Sequence, residues 1–79
     1  MDEKQIFGAI IKEYRERNDI SQEILAKRTG LDRSYLSHIE MGKQSPTLST
    51  ILKIAAGLHV KPSTLFLEFE NRVSNIGGA

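Results

Sequence analysis

Cysteine is absent from the 79 residues. Neither disulfides nor thiolate metal sites can staple the fold, and a reducing compartment suits that absence. Long apolar runs are missing as well. Nothing approaches the roughly 18 residues that a membrane span needs, and the opening Met-Asp-Glu-Lys has neither the basic nor the apolar region of a signal peptide. A cytoplasmic protein with no membrane partner is expected. Chemistry-bearing patterns are equally scarce. The two histidines, His38 and His59, show no metal-ligand spacing, and no paired-carboxylate or nucleophile-elbow pattern occurs. Gly42-Lys43 lacks the upstream glycine and following Ser or Thr of a phosphate-binding loop. A domain this small has little room for a dry cleft, so no enzyme, metal or cofactor is expected.

Excess charge of one sign is also lacking, since the net charge is only +1, which by itself implies no nucleic-acid partner. Its distribution is uneven. Residues 1–26 carry six acids against four bases, residues 27–62 six bases against two acids, and residues 63–79 two acids against one base. From Met41 to Leu67 the only charges are Lys43, Lys53 and Lys61. A phosphate track and a plain solvated helix face explain those lysines equally well. The length fits one domain with a thin core, because chains of this size bury only about 60% of the surface that they expose unfolded. Self-association is a natural way to complete such a core.

Apolar periodicity is helical throughout, and strand alternation is nowhere sustained. Ile6, Phe7, Ile10, Ile11 and Tyr14 make one stripe on a helix over residues 4–18. Short helices follow over 22–28 and 33–41, separated by Thr29-Gly30-Leu31, where Gly30 can adopt the left-handed backbone that closes a helix. A fourth helix spans 48–58, after Ser45-Pro46 and a Thr47 cap. A fifth starts at Pro62, carries Leu65, Phe66, Phe69 and Val73, and runs over 62–73; the tail, 74–79, is expected to fray. The pairs Ile20 and Leu25, Leu31 and Leu36, and Val60 and Leu65 fit hydrophobic staples around Ser21, Asp32 and Lys61; Lys61 is not a capping residue, so the fifth start rests on Pro62 and its staple. Ser21 and Asp32 are good N-caps, each worth about 1 kcal/mol.

Residues 21–41 therefore form a helix, a tight turn and a second helix, and most such pairs are plain packing. The residue types make this pair more specific. Spaced at the helical ~100° per residue, the second helix puts Leu36 and Ile39 on one side. Arg33, Ser34, Ser37, His38 and Met41 fall on the other. That outer face is short, polar and rich in donors, whereas a face built for stability would favour Glu, Lys, Gln and Ala. Arg33 is the sharpest signal, because a cation in the first turn opposes the helix dipole. Either an external partner offsets that cost, as guanine would through a two-pronged contact, or Arg33 pairs with neighbouring Asp32 in solvent.

At these residues a family resemblance appears. The segment Gln22-Glu-Ile-Leu-Ala-Lys-Arg-Thr-Gly-Leu-Asp-Arg-Ser-Tyr-Leu-Ser-His-Ile-Glu-Met-Gly resembles the helix-turn-helix of lambda-repressor/Cro-type (XRE) transcriptional regulators. The likeness continues through Ser-Pro-Thr-Leu and Pro-Ser-Thr-Leu-Phe. It implies an all-α, compact five-helix lambda-repressor-like domain, with Ala26 at the tight helix contact, Gly30 in the turn, and Leu25, Leu31, Leu36 and Ile39 in the core. It implies that Arg33, Ser34, Ser37 and His38 reach base edges, while Ser21, Gln22, Tyr35, Lys43 and Gln44 hold phosphates. His38 as a simply exposed histidine and Tyr35 as a core-edge aromatic stay open beside those roles. The resemblance further pairs Arg15 with Glu40 as a structural salt bridge. Met41 departs from the Arg or Asn common in the family, which removes one DNA contact. Within the family, the string Leu-Asp-Arg-Ser-Tyr-Leu-Ser-His-Ile-Glu looks like the controller proteins of restriction-modification systems.

The expected function is a sequence-specific DNA-binding regulator, a homodimer on a pseudo-palindromic operator, joined through Leu65, Phe66, Leu67, Phe69 and Val73. RNA polymerase is a further candidate partner, to be blocked or recruited. The alternative is an antitoxin or coactivator-like interaction module of the same fold, which would use that apolar surface for another protein.

Overall fold

Helix formation here is directed by caps. Asp2 opens the chain with a complete capping box: its carboxylate accepts from the Gln5 N–H at 2.9 Å, and the Gln5 side chain accepts from the Asp2 N–H at 3.0 Å. The computed structural model describes residues 1–77, as five helices with no strand among them. They are α1 (Glu3–Arg17), α2 (Gln22–Thr29), α3 (Arg33–Glu40), α4 (Leu48–Gly57) and α5 (Pro62–Gly77). Ser21, Asp32 and Thr47 cap α2, α3 and α4, each side chain accepting from the N–H three residues on. The fold is thus all-α, and the boundaries lie close to those expected.

Most helix ends shift by a single residue, and that of α5 shifts by four. The first helix begins one residue early because the Asp2 capping box fixes its start. The last runs to Gly77, past the expected end at Val73, since Ser74, Asn75 and Ile76 include no helix breaker and the first glycine is Gly77 itself. The part of the expected frayed tail at residues 78 and 79 lies outside the described residues.

The turns share one closure. After α1, α3 and α4, the residue in the left-handed region is Asp19 (φ 53°), Gly42 (φ 74°) and His59 (φ 59°). In each case the following N–H reaches back five residues, as from Ile20 to the Arg15 carbonyl at 3.1 Å and from Lys43 to that of His38 at 2.9 Å. Gly30 (φ 73°) ends α2 as expected. Glycine is needed at Gly8 for a different reason. A Cβ there would run into the backbone carbonyl of Ile39 and lie 3.0 Å from that of Glu40, so α1 rests directly on the end of α3.

Every helix contributes to one core. Ile10, Ile11, Leu25, Leu36, Ile39, Ile54, Leu58 and Leu65 are the largest fully buried side chains, each worth about 1.5–3 kcal/mol of burial. Ile20 and Leu25, the pair that staples α2, are both buried. Helix α1 packs on both α3 and α5, and α2 on both α3 and α4. Helix α3 is therefore packed between α1 and α2.

Candidate nucleic-acid interface

The staple and cap of α3 determine which side chains face out. With Leu36 and Ile39 fully buried, Arg33, Ser34 and His38 are exposed and Ser37 half-buried. These four, joined by Gln22 from the first turn of α2, line one shallow, open concavity. The sequence placed four of them together from helical spacing. Gln22 comes from another helix, and the structure brings it to the same surface.

Behind this surface lies a buried ionic lock. Arg15 of α1 forks onto Glu40, with Nε donating to Oε2 at 2.7 Å and Nη2 to Oε1 at 2.9 Å. A third donor, Nη1, reaches the Ile20 carbonyl at 2.9 Å. The carboxylate is almost wholly enclosed, its side chain 2% exposed. Its Oε1 also accepts from Gln22 Nε2 at 3.0 Å. The hydrogen bonds to Glu40 hold the Arg15 guanidinium above its ordinary pKa, against the opposing effect of burial. Among the described residues no buried side-chain nitrogen or oxygen lacks a partner. One lock thus ties α1, the α1–α2 turn, the start of α2 and the end of α3 into a single frame. Gln22, expected on a phosphate, is hydrogen-bonded inward to this frame through one N–H.

Other expected contact residues divide clearly. Lys43 and Gln44 are exposed just past α3, and their backbone N–H groups cap the His38 carbonyl at 2.9 and 3.3 Å. Ser21 is exposed, with its Oγ engaged by the Ile24 N–H at 3.1 Å. Tyr35 is half-buried against the core, its hydroxyl 3.4 Å from Thr50 Oγ1, which in turn is 2.9 Å from Thr47 Oγ1. Its ring is therefore a core-edge aromatic, tied to the start of α4. Arg33 does not turn to Asp32, whose carboxylate caps α3. Its guanidinium lies 3.5 Å from Glu23 of α2 instead, an ion pair with both side chains well exposed.

The apolar face of α5 needs one correction. Leu65 was expected at a dimer interface, but it is fully buried because the staple with Val60 turns it into the core. Phe69 and Val73 are half-buried against that core. Phe66 and Leu67 remain open at 41% and 59%, with Phe66 also tilted onto Phe7 at 5.8 Å between ring centres. Exposed Leu48 and Leu52 of α4 were not anticipated. Beneath α5, Arg72 forks onto Glu13 of α1 at 2.8 and 2.9 Å and also bonds Glu68.

The helix-turn-helix family model matches residues 11–65. The control protein C.MunI of a Mycoplasma species is 44% identical over 70 residues, which cover 87% of this chain and 95% of that protein. Among solved structures, the restriction-modification controller protein C.AhdI from Aeromonas hydrophila is 41% identical. It covers 80% of this chain and 96% of its own, with a TM-score of 0.78. The controller protein C.Esp1396I, solved as a tetramer in complex with its natural 35 base-pair operator, is 27% identical. It covers 92% of this chain and 96% of its own, with a TM-score of 0.84.

Proposed function

Because the chain belongs to the helix-turn-helix family of XRE-type regulators and is similar along its length to restriction-modification controllers, we propose that it is a sequence-specific DNA-binding transcriptional regulator of that controller type. The observation that carries this reading is the concavity of Gln22, Arg33, Ser34, Ser37 and His38, mounted on a buried frame that ties the end of α3 to α1 and α2. Arg33 and Ser34 stand at the leading end of α3, the part of a recognition helix that meets base edges in the major groove. Arginine there matches O6 and N7 of guanine. Ser37 and His38 follow one turn on, while Lys43, Gln44 and Ser21 flank the surface as phosphate contacts.

The working form is a homodimer joined through the α5 face at Phe66 and Leu67, with Phe69 and Val73 at its margin. Two recognition helices then enter successive major grooves about 34 Å apart on a pseudo-palindromic operator. Since a tetramer of C.Esp1396I occupies a 35 base-pair operator, a pair of such dimers on a longer site is a second form to look for. Bound near a promoter, the dimer blocks RNA polymerase or recruits it, and a transcription assay on the same DNA separates these.

Selection of bound sites from random duplex DNA, with stoichiometry by ultracentrifugation, tests the proposal. A dyad-symmetric consensus bound by two or four chains is expected. Failure to enrich any sequence would contradict it and favour the protein-interaction module.

A further inference from the structure

Arg33 occupies a place where a lone cation is disfavoured, the first turn of an α-helix, whose free N–H groups carry partial positive charge. Asp32 is the nearest acid in sequence, yet its carboxylate accepts from the Tyr35 N–H at 3.3 Å as the α3 cap. The counter-charge comes from Glu23 instead. Its Oε1 lies 3.5 Å from Arg33 Nη1, across the turn and from the first turn of the other motif helix. The nearest approach is through Nη1, and the Arg33 side chain forms no hydrogen bond among the described residues. The well-exposed Arg33 side chain lines the same open concavity as Gln22, the neighbour of Glu23.

We infer that Glu23 is a positioning residue that sets DNA specificity through Arg33, an inference that rests on the DNA-reading role proposed above. The carboxylate holds one end of the guanidinium and leaves the opposite edge, with two N–H groups side by side, for O6 and N7 of guanine. Holding a long side chain beforehand lowers the entropy lost on docking. At the same time an acid at this edge repels phosphates, so it gives nothing to DNA that lacks the matching base. A bare counter-ion that must be removed before binding would act differently: its loss would tighten matched and unmatched DNA alike.

Both side chains are well exposed, 61% for Arg33 and 66% for Glu23, so Glu23→Gln is expected to fold normally, as thermal unfolding would verify. Binding is measured by fluorescence anisotropy on two probes, a duplex selected from the random pool and a scrambled duplex of the same composition. Wild type, Glu23→Gln, Arg33→Ala and the double variant are compared. Glu23→Gln should weaken the selected duplex about three- to tenfold and leave the scrambled one unchanged or tighter. In the Arg33→Ala background the same substitution should move both probes equally. If Glu23→Gln shifts both probes alike in the wild-type background, or has the same effect with and without Arg33, the inference is overturned while DNA reading stands. If wild type does not discriminate the probes at all, both readings fall together.

Discussion

Two arginine forks fasten α1 to the rest of the chain, in opposite surroundings. Arg15 grips Glu40 in a nearly closed site, with side-chain exposures of 11% and 2%. Arg72 grips Glu13 in an open one, at 25% and 45%. The first joins α1 to α3 across 25 residues and the second joins it to α5 across 59. Geometry is equally good in both, since each fork is bidentate with bonds of 2.7 to 2.9 Å. Burial makes the difference. A charge stranded in the closed site has no water to turn to, whereas one stranded in the open site does. The fork on α3 is thus sealed from solvent, whereas the fork on α5 stays within its reach.

Breaking the closed fork should have the largest effect. Arg15→Met strands Glu40 and is expected to cost about 3–5 kcal/mol in urea unfolding; adding Glu40→Leu should return part of that, because no buried charge then remains. Next comes the close approach that lets the fork form. Gly8→Ala pushes a methyl group into the carbonyls of Ile39 and Glu40 and should cost about 1–3 kcal/mol, with weakened operator binding as α3 is displaced. The open fork should yield least. Arg72→Ala is expected to cost under about 1 kcal/mol and to lose most of that effect in molar salt.

Acid sharpens the same contrast. The Arg72 hydrogen bond, the largest influence, holds the Glu13 carboxyl below its ordinary pKa. A carboxylate so lowered adds stability that is present above the ordinary carboxylate range and fades as pH falls through the lowered value. Wild type should therefore lose a small increment over that acidic window, and Arg72→Ala should not. An equal acid slope in the two proteins would argue against the Glu13 link.

Much of the frame was legible in the sequence because it depends on local chemistry. Staples at Ile20 and Leu25, caps at Ser21, Asp32 and Thr47, and the left-handed Gly30 are each set within a few residues. Helical spacing alone placed Arg33, Ser34, Ser37 and His38 on one outer face. What escaped depended on contacts between helices. The Val60 staple already pointed Leu65 inward, but how Phe66, Leu67 and Phe69 divide between core and open face depends on how α5 packs. Glu23 lies ten residues from Arg33, so only the angle between α2 and α3 reveals the pair. Gly8 in a helix interior lowers helix propensity, and its reason is a neighbour's backbone that a single sequence does not display. Leucines 48 and 52 were likewise hidden, since an apolar helix such as α4 reads as core until its packing is seen.

The central claim is that the outer face of α3 reads bases while its flanks hold phosphates. Arg33→Ala and Lys43→Ala, each titrated onto the selected and the scrambled duplex, test it most directly. Arg33→Ala should weaken the selected duplex by about 1–3 kcal/mol and leave the scrambled one nearly unchanged, whereas Lys43→Ala should weaken both alike and flatten the salt dependence. Equal losses on both duplexes for Arg33→Ala would contradict the account.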